Sequence, residues 1–191
     1  MISTQDVLNT LDIYCQRFPE TAEYVADLRE LVAESPSCLS RSEFRGHITC
    51  SALVTNTDGE ILLIHHRALD RWLAPGGHVE RNDDSLAAAA MRELSEETGI
   101  AREKISISPW WARAPLHVDR HTIPANPAKN EPEHEHWDFC YRLNCDSPTM
   151  RIDADEVCDV RWCSPGNLPE RFYRTMRAMK ACEAMLIDRI P

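Results

Sequence analysis

The sequence predicts a layered α/β protein. Three observations predict it: apolar residues recur at helical spacing in the first 35 positions and again near residues 85–98, β-rich runs occupy the region from His47 to His66 and from His136 to Cys163, and the two patterns alternate irregularly. In the first segment Val7, Leu8, Leu11, Tyr14 and Cys15 share a helical face after the capping candidates Ser3 and Thr4, and Phe18-Pro19 ends the run. Tyr24, Val25, Leu28, Leu31 and Val32 repeat the pattern after Thr21. The stretch ESPSCLSRS is a linker by composition, so residues 1–44 form a helical extension and 45–191 the main domain. The extension is expected to pack on that domain as a lid, with an arm for a homodimer as the alternative.

HITCSALVT and EILLIHH are strands joined by NTDG, whose Asp58-Gly59 step suits a hairpin. RALDRWLAPGG reads as a short loop leading to a helix from Ser85 to Thr98, closed by Gly99. ISISPWWARA is a further strand candidate, followed by a long polar loop from His117 to Glu135 rich in Pro and His. The strands HWDFCYRLNC and EVCDVRWC follow, then a final helix from Pro169 to Ile187.

Composition narrows the function. With 43% hydrophobic and 27% charged residues in 191, the chain buries a core without disulfides or a structural metal. Lys plus Arg numbers 21 against 31 Asp plus Glu, a net charge of −10 that repels long nucleic acid. No run approaches the roughly eighteen apolar residues of a membrane span. The opening MISTQDVLNT lacks the basic and apolar regions of a secretion signal, so a cytoplasmic location is expected. The eight cysteines are scattered without a CxxC, several in apolar stretches, and read as buried free thiols.

The most informative stretch is GGHVERNDDSLAAAAMRELSEETGI. On its helix Glu93, Glu96 and Glu97 stand at i, i+3 and i+4, within an arc of about 100°. Like charges so placed destabilise a helix by about 0.2–0.5 kcal/mol per pair. A divalent cation removes that penalty, and hard oxygen ligands select Mg²⁺ or Mn²⁺. A solvated acidic face is the ordinary reading of an isolated EXXEE. Here the four alanines Ala87–Ala90 allow close packing, and Gly76-Gly77 lets backbone approach a ligand.

The stretch resembles the Nudix box of the Nudix hydrolase family, G-x5-E-x7-R-E-U-x-E-E-x-G-U with U aliphatic. Arg92-Glu93-Leu94-Ser95-Glu96-Glu97-Thr98-Gly99-Ile100 matches at every specified position. Counting back eight residues from Arg92 gives Asp84 in place of Glu, and six more gives His78 in place of Gly, with Gly77 one residue early. The loop before the helix therefore holds one extra residue. The resemblance implies an α/β/α sandwich with a mixed sheet. It also implies metal-dependent cleavage of a diphosphate bond in a nucleoside diphosphate linked to another small moiety. Glu96 and Glu97 would ligate the metal, Glu93 would be a ligand or a base, and Arg92 would orient Glu93. The Gly77 carbonyl would add a backbone ligand and Glu80 a weaker one. From outside the box, Glu156 is favoured over Asp153 and Asp155 as a further acid. A non-catalytic Nudix-like module is the alternative, and the retention of all three glutamates favours an enzyme. An isoprenoid diphosphate isomerase would have a cysteine just ahead of the Gly-His pair, where this chain has Leu73-Ala74-Pro75-Gly76.

Two further groups are candidate substrate contacts. His65 and Arg67 stand at the end of a strand. His134, His136 and Asp138 alternate, so on a strand they share one face, with His117 and His121 nearby. That set also resembles a two-His-one-carboxylate metal constellation. A substrate-facing surface or loop edge is preferred over zinc, because residues 117–132 read as a flexible loop that would hold ligands poorly.

Overall fold

Strand β1 (His47–Thr55) is buried at every position, because strands flank it on both sides and side chains cover both its faces. This is the computed structural model of the chain, and it describes residues 1–146, 149–172, 175–177 and 179–180. On one side β1 runs parallel to β7 (His134–Cys145), from His47 beside His136 to Thr55 beside Asn144. On the other it meets β2 (Ile61–His66) through the expected hairpin and, at its opposite end, β4 (Gly76–His78), both antiparallel. Strand β3 (Arg71–Leu73) and strand β8 (Val157–Cys163) pair with β2, while β5 (Ile105–Ser106) and β6 (His117–Ile123) pair with β7. The sheet is mixed, as expected.

The register divides the sheet into two chemically different faces. Ile48, Cys50, Ala52 and Val54 of β1 stand beside Trp137, Phe139, Tyr141 and Leu143 of β7, and all are buried apolar or aromatic residues. The reverse side of the same strands carries His47, Thr49 and Ser51 beside His136, Asp138 and Cys140. Helix α3 (Leu86–Thr98) packs on β1, β4 and β7, its Ala89, Ala90, Met91 and Leu94 joining the core.

The N-terminal helices are α1 (Thr4–Arg17) and α2 (Ala26–Glu34). A capping box between Ser3 and Asp6 starts α1. The second helix begins five residues later than Thr21, because Pro19–Thr21 forms its own short 3₁₀ turn. Both helices share the core through Val7, Leu11, Tyr14, Leu28 and Val32, and Tyr14 of α1 with Tyr24 of the turn before α2 also covers the outer edge of β6. The Tyr14 hydroxyl accepts from the Val118 N–H at 3.3 Å and the Tyr24 hydroxyl from the Arg120 N–H at 2.8 Å. Two edge donors that would otherwise template another strand are thereby occupied.

Several sequence expectations are corrected. ISISPWWARA is a strand only at Ile105–Ser106. Its second half is the one-turn helix α4 (Pro109–Ala112), since Ser108 caps the Trp111 N–H at 3.4 Å and Pro109 sits at the first helical position. The loop expected from His117 to Glu135 is largely strand: β6 lies antiparallel along β7, leaving only 124–133 between them. Its alternation is hidden because polar residues dominate both faces, His117, Asp119 and His121 on one and Arg120 and Thr122 on the other. RALDRWLAPGG contains the short strands β3 and β4. Of the final helix, 175–177 and 179–180 are helical, with Met176 and Met179 buried, and the rest of that expectation lies outside the described residues. Among the described residues no helix is long and apolar enough to cross a membrane. Seven cysteines are free thiols there, and Cys182 lies outside them.

The edge cover predicts an asymmetry. Replacing Tyr14 with Phe leaves a buried backbone donor unsatisfied and should cost about 1–3 kcal/mol, whereas Tyr24→Phe, at a half-exposed site, should cost under about 1 kcal/mol. Urea denaturation gives both values, and equal costs would contradict the arrangement.

Candidate active site

Helix α3 carries the acidic cluster. Ser85 starts it by accepting from the Ala88 N–H at 3.1 Å, and Gly99 ends it in the left-handed conformation at φ 66°, where a side chain would be strained. Because Leu86, Ala90, Met91 and Leu94 are turned into the core, Glu93, Glu96 and Glu97 share the flank that meets β4. There the Gly76 N–H donates to Glu97 Oε2 at 2.8 Å. A Cβ at Gly77 would stand 2.6 Å from Glu93 Oε1 and displace that carboxylate, while one at Gly76 would stand 2.7 Å from the Cys50 carbonyl oxygen, so the backbone contact there needs glycine. Glu97 is 2% exposed, although it is a carboxylate.

Arg92 binds the cluster together. Its Nη1 donates to Glu93 Oε1 at 2.9 Å and to Glu96 Oε2 at 2.8 Å. Its Nη2 donates to the His78 carbonyl at 2.7 Å, and Nε and Nη2 each reach Asp83 at 3.0 Å. Asp83, not Asp84, is thus the acid that holds the arginine: Asp83 is 5% exposed, whereas the Asp84 side chain is 96% exposed and 4.0 Å from the N-terminal ammonium. In the sequence the count is ambiguous: forward from Gly77 it lands on Asp83 and back from Arg92 on Asp84, and the contact to Arg92 decides that the extra residue lies between Asp83 and Arg92.

The electrostatics follow from burial. Burial pushes Glu93 up to about 7 against the opposing Arg92 guanidinium, and Glu97 up to about 8 against the Gly76 N–H. The charges of Glu96 and of Glu156, which lies outside the box, add to the upward push on both. The Glu156 segment is tied down by four bonds: the Arg67 N–H to the Glu156 carbonyl at 2.7 Å, Arg67 Nε to the Ala154 carbonyl at 2.9 Å, the Arg151 N–H to the Thr98 carbonyl at 2.8 Å and the Asp153 N–H to the Glu97 carbonyl at 3.3 Å. Arg67 therefore positions the Glu156 turn. Glu80 is exposed, and its N–H donates to Asp83 at 2.8 Å.

The other candidates lie elsewhere. His65 faces Asp70 at 3.5 Å and the edge of the Trp72 ring, whose centroid is 5.1 Å away. His134, His136 and Asp138 do share one face of β7, and Asp138 accepts from Thr49 Oγ1 at 3.0 Å and from Ser51 Oγ. Burial raises the Asp138 carboxyl against those hydrogen bonds. The sequence reading missed His47 and His78, and the sheet brings both, together with His121, to the same face: His47 and His121 stand beside His136, and His78 beside Thr49. Burial pushes His78 down to about 4 and His136 to about 2, with neighbouring imidazoles adding to both shifts. Asp119, pushed up by burial, is nevertheless held below its ordinary value by His117 and His121 at 3.8 and 3.4 Å.

The NUDIX domain family matches residues 46–181, which span the sheet, α3 and the Glu156 turn. The chain belongs to the NUDIX domain family. It is 35% identical over 119 residues to a probable DHNTP pyrophosphohydrolase of Lactococcus lactis subsp. cremoris (strain MG1363), covering 59% of this chain and 66% of that relative, just under two thirds. To the phosphatase NudJ of Escherichia coli (strain K12) it is 32% identical over 123 residues, 63% of this chain and 70% of the relative. The crystal structure of a C. elegans Ap4A hydrolase binary complex shares the fold at a TM-score of 0.53 and 18% identity, over 72% of this chain and 97% of that one. The Nudix domain is thus the structural frame of the acidic cluster.

Two measurements check this geometry. Asp83→Asn should lower divalent-dependent hydrolysis by about 10–100-fold through the loosened Arg92, while Asp84→Asn leaves it within about twofold; a reversed order would contradict the Asp83 placement. The folded values of Glu93 and Glu97 lie above their ordinary 4.5, so the metal-free fold holds extra protons. The stability this contributes is full below about pH 4.5 and is lost as pH rises through the folded values near 7 and 8. Mg²⁺ or Mn²⁺ should therefore raise Tm more at about pH 8.5 than at about pH 5.5. Equal shifts at both would count against burial of these carboxylates at the cation site.

Proposed function

We propose that this Nudix hydrolase uses Mg²⁺ or Mn²⁺ to cleave a diphosphate bond in a nucleoside diphosphate linked to another small moiety. The observation that carries the reading is the pairing of buried Glu97 with Glu93 against the Gly76-Gly77 backbone. Burial beside further acids works against ionisation of both carboxyls, and a hard cation reverses that balance, so the donor set fits the metal. Glu93, Glu96, Glu97, the Gly77 carbonyl and Glu156 would hold it. When bound, the cation stabilises charge on phosphate oxygens and acidifies water.

The chain's own residues supply the rest. Glu93, restrained by Arg92, is suited to accept a proton from the attacking water. Asp83 and the His78 carbonyl fix the Arg92 guanidinium, so the angle of Glu93 is set before substrate arrives. His65 and Arg67, at the β2 end joined to the Glu156 turn, are the proposed substrate contacts. His134 is 6% exposed and Asp138 is engaged by two hydroxyls, so their placement favours a role other than substrate contact.

The pyrophosphohydrolase among the relatives supports this bond class, and the retained glutamates weigh against a purely binding module. Among the described residues seven free thiols, five of them buried, with Cys15 partly exposed and Cys158 exposed, suit a reducing compartment such as the cytoplasm.

Glu97→Gln keeps the side-chain shape but removes a charge from the cation site. Hydrolysis of nucleoside diphosphate-linked substrates, assayed in a panel with Mg²⁺ and Mn²⁺, should fall by orders of magnitude while the circular dichroism spectrum stays unchanged. Undiminished turnover would defeat the proposal. In ¹⁸O-water, label should enter one phosphate product in a single turnover, and label confined to the sugar or base would reject attack at phosphorus.

A further inference from the structure

We propose that His47, His134 and His136 form a second metal site, for a zinc-type first-row transition cation, separate from the glutamate cluster. One ligand atom from each residue lies within 4.8 Å of those of the other two. Tetrahedral zinc with Zn–N near 2.0–2.1 Å sets its nitrogens about 3.4 Å apart, so small side-chain adjustments close the set. The ring centroids of His47 are 4.5 Å from His136 and 5.0 Å from His134, and those of His134 and His136 are 5.2 Å apart.

Hydrogen bonding aims the lone pairs inward. His47 Nδ1 lies 3.1 Å from the Glu43 carbonyl and His134 Nδ1 lies 2.8 Å from the Pro132 carbonyl. A carbonyl only accepts, so Nδ1 carries the proton in both rings and Nε2 is the unprotonated nitrogen. Metal-ligating histidines characteristically use their second nitrogen this way. His47 is 1% exposed, yet its Nε2 has no hydrogen-bond partner, and neither does the buried Nε2 of His136. Two orphaned buried nitrogens in one three-histidine set are costly as a purely structural arrangement and are satisfied by a cation.

The sheet makes the set rigid. His47 and His136 are register partners on β1 and β7, and His134 lies two residues back along β7 on the same face. The Glu43 turn that orients His47 is itself anchored: its carboxylate accepts from Ser35, from Ser37 at 2.8 Å and from the Arg45 N–H at 3.1 Å. The nearby cation Arg41 is paired with Glu131 at 3.1 Å. All three donors are imidazoles, a set that suits zinc, copper, iron or nickel and not Mg²⁺. His78, whose ring lies 5.1 Å from that of His47 and 5.3 Å from that of His136, flanks the fourth position. It follows Gly77 on β4 and its side chain alternates to the other face, so one peptide step separates the two sites. The loop that weighed against zinc in the sequence is reduced to residues 124–133 and holds none of the three ligands, since His134 and His136 belong to a strand of twelve residues.

The test uses untagged full-length protein purified without added metal and stripped with chelator. Titration with Zn²⁺ against a chromophoric chelator should give one tight site in wild type and in Glu97→Gln, weakened at least about 100-fold in His134→Ala/His136→Ala. X-ray absorption at the zinc edge of wild type loaded to one equivalent should show imidazole scattering. Because this spectrum needs no variant, it keeps the proposal testable if the double mutant misfolds. Absence of tight zinc, an oxygen-only shell, or a site lost in Glu97→Gln and kept in the double mutant would overturn it. None of these results depends on the hydrolytic reading, which the Glu97→Gln activity assay tests by itself.

Discussion

Arg92 donates to Asp83, the His78 carbonyl, Glu93 and Glu96, partners drawn from strand β4, the loop after it and helix α3. Without that guanidinium the site would hold mutually repelling carboxylates, and the turn at Asp83 would keep only its local bonds to Glu80. The fork geometry matters as much as the charge. Lysine could neutralise one carboxylate but could not reach four acceptors in a plane. The arginine's own pKa is held above its ordinary value by Asp83, Glu93 and Glu96 despite partial burial, so it stays charged across the working range.

Much of the catalytic half was readable because it is local. The EXXEE spacing needs only helical geometry, and Ser85 and Gly99 mark the helix ends by side-chain chemistry at single positions. What failed in the sequence was non-local. The extra residue in the loop could be placed on either side of the first acid, and only the contact to Arg92 selects Asp83. The polar strand β6 looked like a loop because His117, Asp119 and His121 carry no apolar alternation on the face they occupy. The histidine set was half visible: His134 and His136 alternate in the sequence, but His47 joins them through a parallel pairing that no local pattern announces.

The N-terminal helices illustrate a different dependence. Their contribution to the shared core is ordinary, while the Tyr14 and Tyr24 hydroxyls address the N–H groups on the edge of β6 that faces away from β7. Arg120 adds an ion pair to Asp27 at 2.8 Å and lies over the Trp137 ring at 5.1 Å, so the edge strand is held by side chains on both sides of its backbone. The strand carrying His117, Asp119 and His121 is thereby kept in register with β7.

The parallel pairing of β1 with β7 also governs the order in which the molecule can be assembled. Thr49 and Asp138, which hydrogen-bond across it, are 89 residues apart in the chain, and the whole Nudix box lies in the loop they close. Bringing such distant segments together costs loop entropy before any contact rewards it, which slows folding. On the ribosome, strand β1 therefore waits with one long edge unpaired until β7 has emerged. During synthesis the glutamate helix can form early, but the sheet that gives it a partner closes late.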